Sequence, residues 1–241
     1  MSGDAQNHEP VTPAEFVHVN GFVRFARIVQ AGGVQHAFLR VLSTDLDRIL
    51  GPFDRKYHTE TGSHLGRDEI ATEVGGQAAK ESAGYVPMVA AAFAGMLREL
   101  VPEPEGIFVD IGSGRGRCLI LALDHGYRHA VGIELSPMLC RSARENLDRS
   151  GLPGGEIYEA DATTVELPAA TSLIFLYNPF SAEIWKRVLE GPIAALGRPV
   201  TIVTHSMHHA AEVESDLMRI TTEQTIWKSG RDFVVLTAQR C

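Results

Sequence analysis

Residues 108–117 read FVDIGSGRGR, an apolar run that contains an aspartate and ends in a G-x-G-x-G turn. Phe108, Val109 and Ile111 have the character of a buried parallel strand. Gly112, Gly114 and Gly116, with Ser113 between the first two, let the chain turn sharply and bring backbone close to a ligand. Asp110 decides what kind of ligand that is. A dinucleotide fingerprint, G-x-G-x-x-G, presents a helix N-terminus to a pyrophosphate, and a carboxylate beside that group would repel it. A carboxylate two positions ahead of the turn suits a ligand with positive charge and no phosphate.

Later motifs fall in register with the first. About 20 residues on, Ala130-Val131-Gly132-Ile133-Glu134 reads as a second strand ending in an acid that can accept hydrogen bonds from both hydroxyls of a ribose. Leu135 follows, and Ser136-Pro137 is an N-cap with proline at the first helical position. A third strand, Ile157-Tyr158-Glu159, leads to Asp161-Ala162. Taken singly, Glu134 is a helix-capping charge and Asp161 a surface turn aspartate; in register with Asp110, Glu134 favours ligand contact. S-adenosylmethionine, with an ammonium, a sulfonium and a nucleoside but no phosphate, fits the carboxylate at Asp110.

The chain thus resembles the class I S-adenosylmethionine-dependent methyltransferases, whose first motif E/D-x-G-x-G-x-G is matched by Asp110, Gly112, Gly114 and Gly116. The resemblance implies a cofactor site of Asp110, Gly112, Ser113, Gly114, Gly116, Glu134, Leu135, Asp161, Ala162 and Asn178, with Asp161 near the adenine amino group. It also implies a Rossmann-like α/β three-layer sandwich around a seven-stranded, mostly parallel sheet whose last strand runs antiparallel between the fifth and sixth.

The periodicity agrees. Val89, Phe93, Met96, Leu97 and Leu100 share a helix face that stops before Pro102 and Pro104. A helix from about Arg117 to His125 ends at Gly126, and one from Pro137 to Ser150 ends at Gly151. Strands are expected at Leu173–Tyr177, Val200–Thr204, Thr221–Trp227 and Asp232–Thr237, the last two joined through 228–231 as a hairpin. The chain divides near residue 84: residues 1–84 form a helical N-terminal cap and possible lid, residues 85–241 the methyltransferase domain. In the first part, Thr12-Pro13-Ala14-Glu15 is a capping box before an amphipathic helix that ends at Gly32-Gly33, and a second helix runs from about Val34 to Leu50. The polar stretch FDRKYHTETGSHLG then has no periodicity, so it reads as a surface loop or a lid. It is similar to an F-D-x-x-Y-x-x-x-T-x-G segment found upstream of the first motif in small bacterial methyltransferases. For Thr61 and Gly62 simple loop structure is expected.

Catalytic candidates lie at the carboxyl ends of strands, where open α/β sheets bind ligands. Tyr177-Asn178-Pro179-Phe180 ends the fourth strand. The Asn178 amide oxygen can accept a hydrogen bond from an amine, and Phe180 offers a ring face to a cation. The tetrapeptide is partly similar to the N/D-P-P-Y/F motif of methyltransferases acting on amino groups, with one proline missing; the other reading is a turn begun by Asn178-Pro179. His205, ending the fifth strand, is expected to line the site and is the candidate for removing a proton from a cationic amine. His208 and His209 read as solvated histidines, since no partnering carboxylate or cysteine suggests a metal. Tyr85 is expected to cover the methionine part of the cofactor and, with Pro179 and Phe180, to contact substrate; core packing competes for both Tyr85 and Tyr57.

With 241 residues, 44% of them hydrophobic, the chain can bury a substantial core. A formal charge of −8 disfavours unaided binding to nucleic acid. No apolar run suits a membrane span, the N-terminus lacks the pattern of a signal peptide, and a cytoplasmic location is expected. Cys118, Cys140 and Cys241 are too few and too dispersed for a disulfide framework or a zinc site. The expected activity is methyl transfer to an N or O atom of a small molecule or a protein side chain. The rival readings are a nicotinamide-dinucleotide oxidoreductase, against which Asp110 and the third glycine argue, and a non-catalytic protein that binds S-adenosylmethionine.

Overall fold

The computed structural model describes residues 51–63, 65, 66, 70, 84–177, 180–205, 213, 215–226 and 233–241. The helices expected before residue 51, the tip of the C-terminal hairpin, Asn178, Pro179, His208 and His209 lie outside the described residues.

Among the described residues seven strands form one sheet in the order β3-β2-β1-β4-β5-β7-β6. They are β1 (Ile107–Ile111), β2 (His129–Glu134), β3 (Gly155–Glu159), β4 (Thr171–Tyr177), β5 (Val200–His205), β6 (Met218–Ile226) and β7 (Phe233–Arg240). The pairs β1·β2, β2·β3, β1·β4 and β4·β5 are parallel. Strand β7 runs antiparallel between β5 and β6, as the methyltransferase resemblance implied. The chain builds outward from β1 to β3 and then returns to lay β4 on the other side of β1. That reversal opens a crevice at the carboxyl ends of β1 and β4, where open α/β sheets place their ligands.

The described helices are α1 (Pro52–Tyr57), α2 (Ala90–Leu100), α3 (Arg117–His125), α4 (Pro137–Ser150) and α5 (Ala182–Val188). Helix α4 begins where the side chain of Ser136 accepts the Leu139 N–H at 3.3 Å, with Pro137 behind it. Both α3 and α4 end where the sequence put their glycine stops, Gly126 and Gly151. Helix α5 passes into a single π-helical turn, Leu189–Ile193, that contains Pro192, a residue with no N–H to give to a helical ladder.

Alternation along the strands sends side chains into two apolar layers. Phe108 and Phe175 meet α2 and α3 on one face, while Val109, Ile111, Ile174 and Leu176 meet Trp185, Val188 and the π turn on the other. Phe93 anchors the first layer, its ring 5.9 Å from Phe108 and 4.8 Å from Phe175, both in edge-on geometry. Phe93 and Trp185 are completely buried. With both faces covered, the one open region along the parallel strands is at their ends, and there the polar residues of the sequence motifs gather.

Candidate functional site

The glycine turn is built around Ile133 of the neighbouring strand. The N–H groups of Gly112 and Ser113 both donate to the Ile133 carbonyl, at 2.8 and 3.2 Å, so the turn is bonded to β2 before α3 begins. Gly114 has a positive φ of 55° and also faces the ring of Tyr85, which a β-carbon at this position would meet at 2.4 Å. Glycine is therefore required here for conformation and for space. Gly132, in the middle of β2, is needed for a different reason: a β-carbon there would stand 2.6 Å from the Ser113 hydroxyl.

Three acids follow in a row from the centre of the sheet to its β3 side. Asp110 is buried, at 3% exposure, and faces the crevice. Burial, reinforced by the nearby charge of Glu134, pushes its pKa from 3.8 up to about 8. Glu134 accepts the Gly114 N–H through Oε2 at 2.9 Å, and the Leu135 and Ser136 N–H groups through Oε1 at 2.9 Å each. Burial raises its pKa, partly offset by those three N–H donors. Glu134 thus locks the glycine turn to the end of β2, and with two donors on Oε1 and one on Oε2 a lone pair remains on Oε2 for a ribose hydroxyl. The Gly114 amide, which a pyrophosphate would need, is directed at a carboxylate. Asp161 uses Oδ1 for the Thr163 N–H and hydroxyl, at 2.7 and 2.8 Å. It is a turn residue and a cavity residue at once.

These groups line a cavity of about 390 Å³. Asp110, Gly112, Ser113, Gly114, Glu134, Leu135, Asp161 and Ala162 all face it, as do Tyr85 and Phe180. Gly116 does not; it turns the chain into α3 against Ala143. Tyr177, in the tetrapeptide read from the sequence, faces the cavity; the sequence missed Phe175, whose alternation with Tyr177 on β4 could have placed it on the cavity side, and Val86, Met88 and Ile184, which had no motif to mark them. Cys118 also lines the cavity, with its thiol pushed well up by burial and by Asp110. The Ser113 hydroxyl is buried in this wall without a hydrogen-bond partner among the described residues. An orphaned hydroxyl, a carboxylate poised to ionise beside a cation, and an acid at the end of β2 fit S-adenosylmethionine, whose ammonium, ribose and adenine would meet Asp110, Glu134 and Asp161 in turn.

His205 is 2% exposed and does not line the cavity. Its ring packs between Tyr177 and Phe233, with centroids 5.0 and 5.1 Å away, the three residues lying side by side on β4, β5 and β7. The cavity meets Tyr177 rather than the imidazole.

Of the two readings of the polar stretch after residue 52, a surface loop or a lid, the exposed loop does not match its buried side chains. Phe53, Tyr57, Thr59 and Thr61 are buried, Thr61 completely. Asp54 accepts the Thr59 hydroxyl at 2.8 Å, the Thr61 N–H at 2.9 Å and the Thr61 hydroxyl at 2.7 Å on one oxygen, and the Gly62 N–H at 2.8 Å on the other. A buried polar network satisfied in this way has no hydrophobic periodicity to betray it.

Residues 108–198 match the family model described as a methyltransferase domain. Together with the strand order, the match gives the chain the Rossmann-like fold of the methyltransferases. Among solved structures, it is similar to the mitomycin 7-O-methyltransferase MmcR, with a TM-score of 0.51, 18% identity, and 64% of this chain matched to 54% of that one. That likeness is one of fold. The chain is also similar to TrmN from Thermus thermophilus, at TM-score 0.47 and 20% identity over 61% of this chain, of whose length it spans about half, 48%. An RNA methyltransferase from Salinibacter ruber in complex with S-adenosyl-L-homocysteine matches 61% of this chain and 88% of its own at TM-score 0.44 and 22% identity.

Proposed function

We propose that this protein transfers a methyl group from S-adenosylmethionine to a nitrogen or oxygen of a small acceptor that presents an amine or a flat aromatic ring. The observation that carries this reading is the composition of the cavity wall, where Tyr85, Phe175, Tyr177 and Phe180 stand with Asp110 around one cavity. Aromatic faces attract cations and stack on flat rings, so an aromatic-lined cavity suits an acceptor that presents an amine or a flat ring. The net charge of −8 also opposes docking on a phosphate backbone.

When bound, S-adenosylmethionine supplies a methyl carbon already activated by its sulfonium. The protein has then chiefly to align the acceptor, and orientation alone can supply roughly 7 to 11 kcal/mol. In this reading Asp110 neutralises the ammonium, Glu134 and Asp161 orient the nucleoside, and Tyr177 and Phe180 contact the acceptor. Asn178 and Pro179, next in sequence to Tyr177, are assigned to cofactor and acceptor contact in this reading on their sequence position alone. His205 acts as a positioning residue for the Tyr177 ring. In this reading residues 85–241 form the methyltransferase domain and residues 1–84 are an N-terminal extension that precedes it in sequence. Free thiols at Cys118 and Cys140 suit a cytoplasmic setting.

The test is methyl transfer from radiolabelled S-adenosylmethionine to panels of small amines, phenols, peptides and RNA. Label in the amine or phenol panel is the expected result. Label only in RNA or peptides overturns the acceptor class, and tight cofactor binding without turnover in any panel would mark a non-catalytic binding protein.

A further inference from the structure

Asp54 lies far from the glycine turn in sequence and is joined to it in space by consecutive contacts. Its carboxylate fixes both the backbone and the hydroxyl of Thr61. That hydroxyl in turn accepts the Nε–H of Arg117 at 2.8 Å, and Arg117 is the first residue of α3, directly after the glycine turn. The guanidinium, 3% exposed, also donates to the Met88 carbonyl at 3.1 Å, lies 3.8 Å from Asp54 Oδ2 and stacks 4.7 Å over the ring of Phe53. The Thr61 carbonyl accepts the hydroxyl of Tyr85 at 2.8 Å. The Tyr85 ring lies on Gly114, and its backbone pairs with Leu65. Gly84, Tyr85, Val86 and Met88 all line the cavity. The outer edge is held as well: the Glu60 N–H donates to Asn146, whose amide donates to the Arg115 carbonyl in the turn.

We propose that Asp54 is a positioning residue for cofactor binding: through Thr61 it holds Tyr85 against the glycine turn and so sets the near wall of the cofactor cavity. This rests on the S-adenosylmethionine reading above. The physical reason is that both oxygens of Asp54 accept from N–H or O–H donors, four in all. No orientation of a neutral amide satisfies that set, because one of its two terminal atoms must present hydrogens to a donor. Loss of the charge therefore releases Thr61, and with it the anchor of the Tyr85 hydroxyl. The carboxylate is otherwise occupied within the segment and does not line the cavity, so its influence on the ligand passes through Tyr85 and Arg117.

The experiment is calorimetry of the full chain with S-adenosylhomocysteine, alongside thermal melts, for wild type and for Asp54→Asn, Thr61→Val, Thr61→Ser and Tyr85→Phe. Asp54→Asn and Thr61→Val are each expected to weaken binding by about tenfold or more, while Thr61→Ser, which keeps the hydroxyl, stays within about twofold of wild type. Asp54→Asn combined with Tyr85→Phe should lose less than the product of the two single losses, because both act on one anchor. Lowered melting temperatures with unchanged Kd would make the network purely structural and overturn the proposal, as would independent effects in the double variant. If Asp54→Asn does not fold, Thr61→Val against Thr61→Ser decides by the same Kd criterion. Failure of the wild type to bind S-adenosylhomocysteine would instead overturn the cofactor reading itself.

Discussion

A carboxylate at 3% exposure beside a second acid keeps its proton until the pH reaches about 8. Because the pKa of Asp110 in the folded protein is raised from 3.8, its contribution to stability is fully present below that value and is lost as the pH rises through about 8. A cationic ligand reverses the preference by stabilising the ionised form, so binding expels the Asp110 proton at neutral pH. Affinity for S-adenosylhomocysteine should therefore climb with pH over roughly 5 to 8 and fall above, where the ligand's own α-ammonium deprotonates. In Asp110→Asn the affinity should be weaker and its rise with pH absent; an identical slope in wild type and variant would show that this acid does not meet the ammonium. Glu134→Gln tests a different function. Its two oxygens accept three backbone N–H groups, and a glutamine must turn its amino group toward some of them. About tenfold or greater loss of S-adenosylhomocysteine affinity is expected by calorimetry.

At the scale of elements, the turn between β1 and α3 separates two kinds of glycine. Gly116 has a φ of 82°, and a β-carbon there would only touch Ala143 at 3.4 Å. Gly116→Ala should cost about 1–2 kcal/mol in urea unfolding, the strain of a left-handed residue, with a modest change in ligand affinity. Gly114→Ala adds an overlap with the Tyr85 ring at 2.4 Å, so it should both destabilise and displace the cavity wall. Equal ligand affinities in the two variants would contradict this division. Much of the element level was legible in the sequence because its signals are local. Glycine stops at Gly126 and Gly151, the Ser136-Pro137 start and the apolar runs of β1 and β4 act within a few residues of where they stand. The segment from Phe53 to Gly62 was not legible, since its hub joins Thr61 to Arg117, 56 positions away, and buried polar partners look in sequence like the residues of a loop.

At the scale of the whole molecule, ligand binding and folding are linked. A ligand that binds the folded state alone, at a free concentration about 100 times its Kd, adds about 2.7 kcal/mol of stability. For a chain of this size that is a rise in Tm of roughly 5–10 °C, readable in a melt with S-adenosylhomocysteine. A flat response would remove the cofactor and everything built on it. Amino-acid order by itself determined the succession of strands and helices and the place of Asp110, Glu134 and Asp161 at strand ends, because strand periodicity and turn chemistry act over short stretches; the antiparallel place of the last strand came from the methyltransferase resemblance. Only the tertiary structure decided that His205 stacks between Tyr177 and Phe233, that Tyr85 closes on Gly114, and that Asp54 ties a segment from before the domain to the turn at its heart. Those contacts join residues distant in sequence through close packing and satisfied buried hydrogen bonds, and neither leaves a local pattern in the chain.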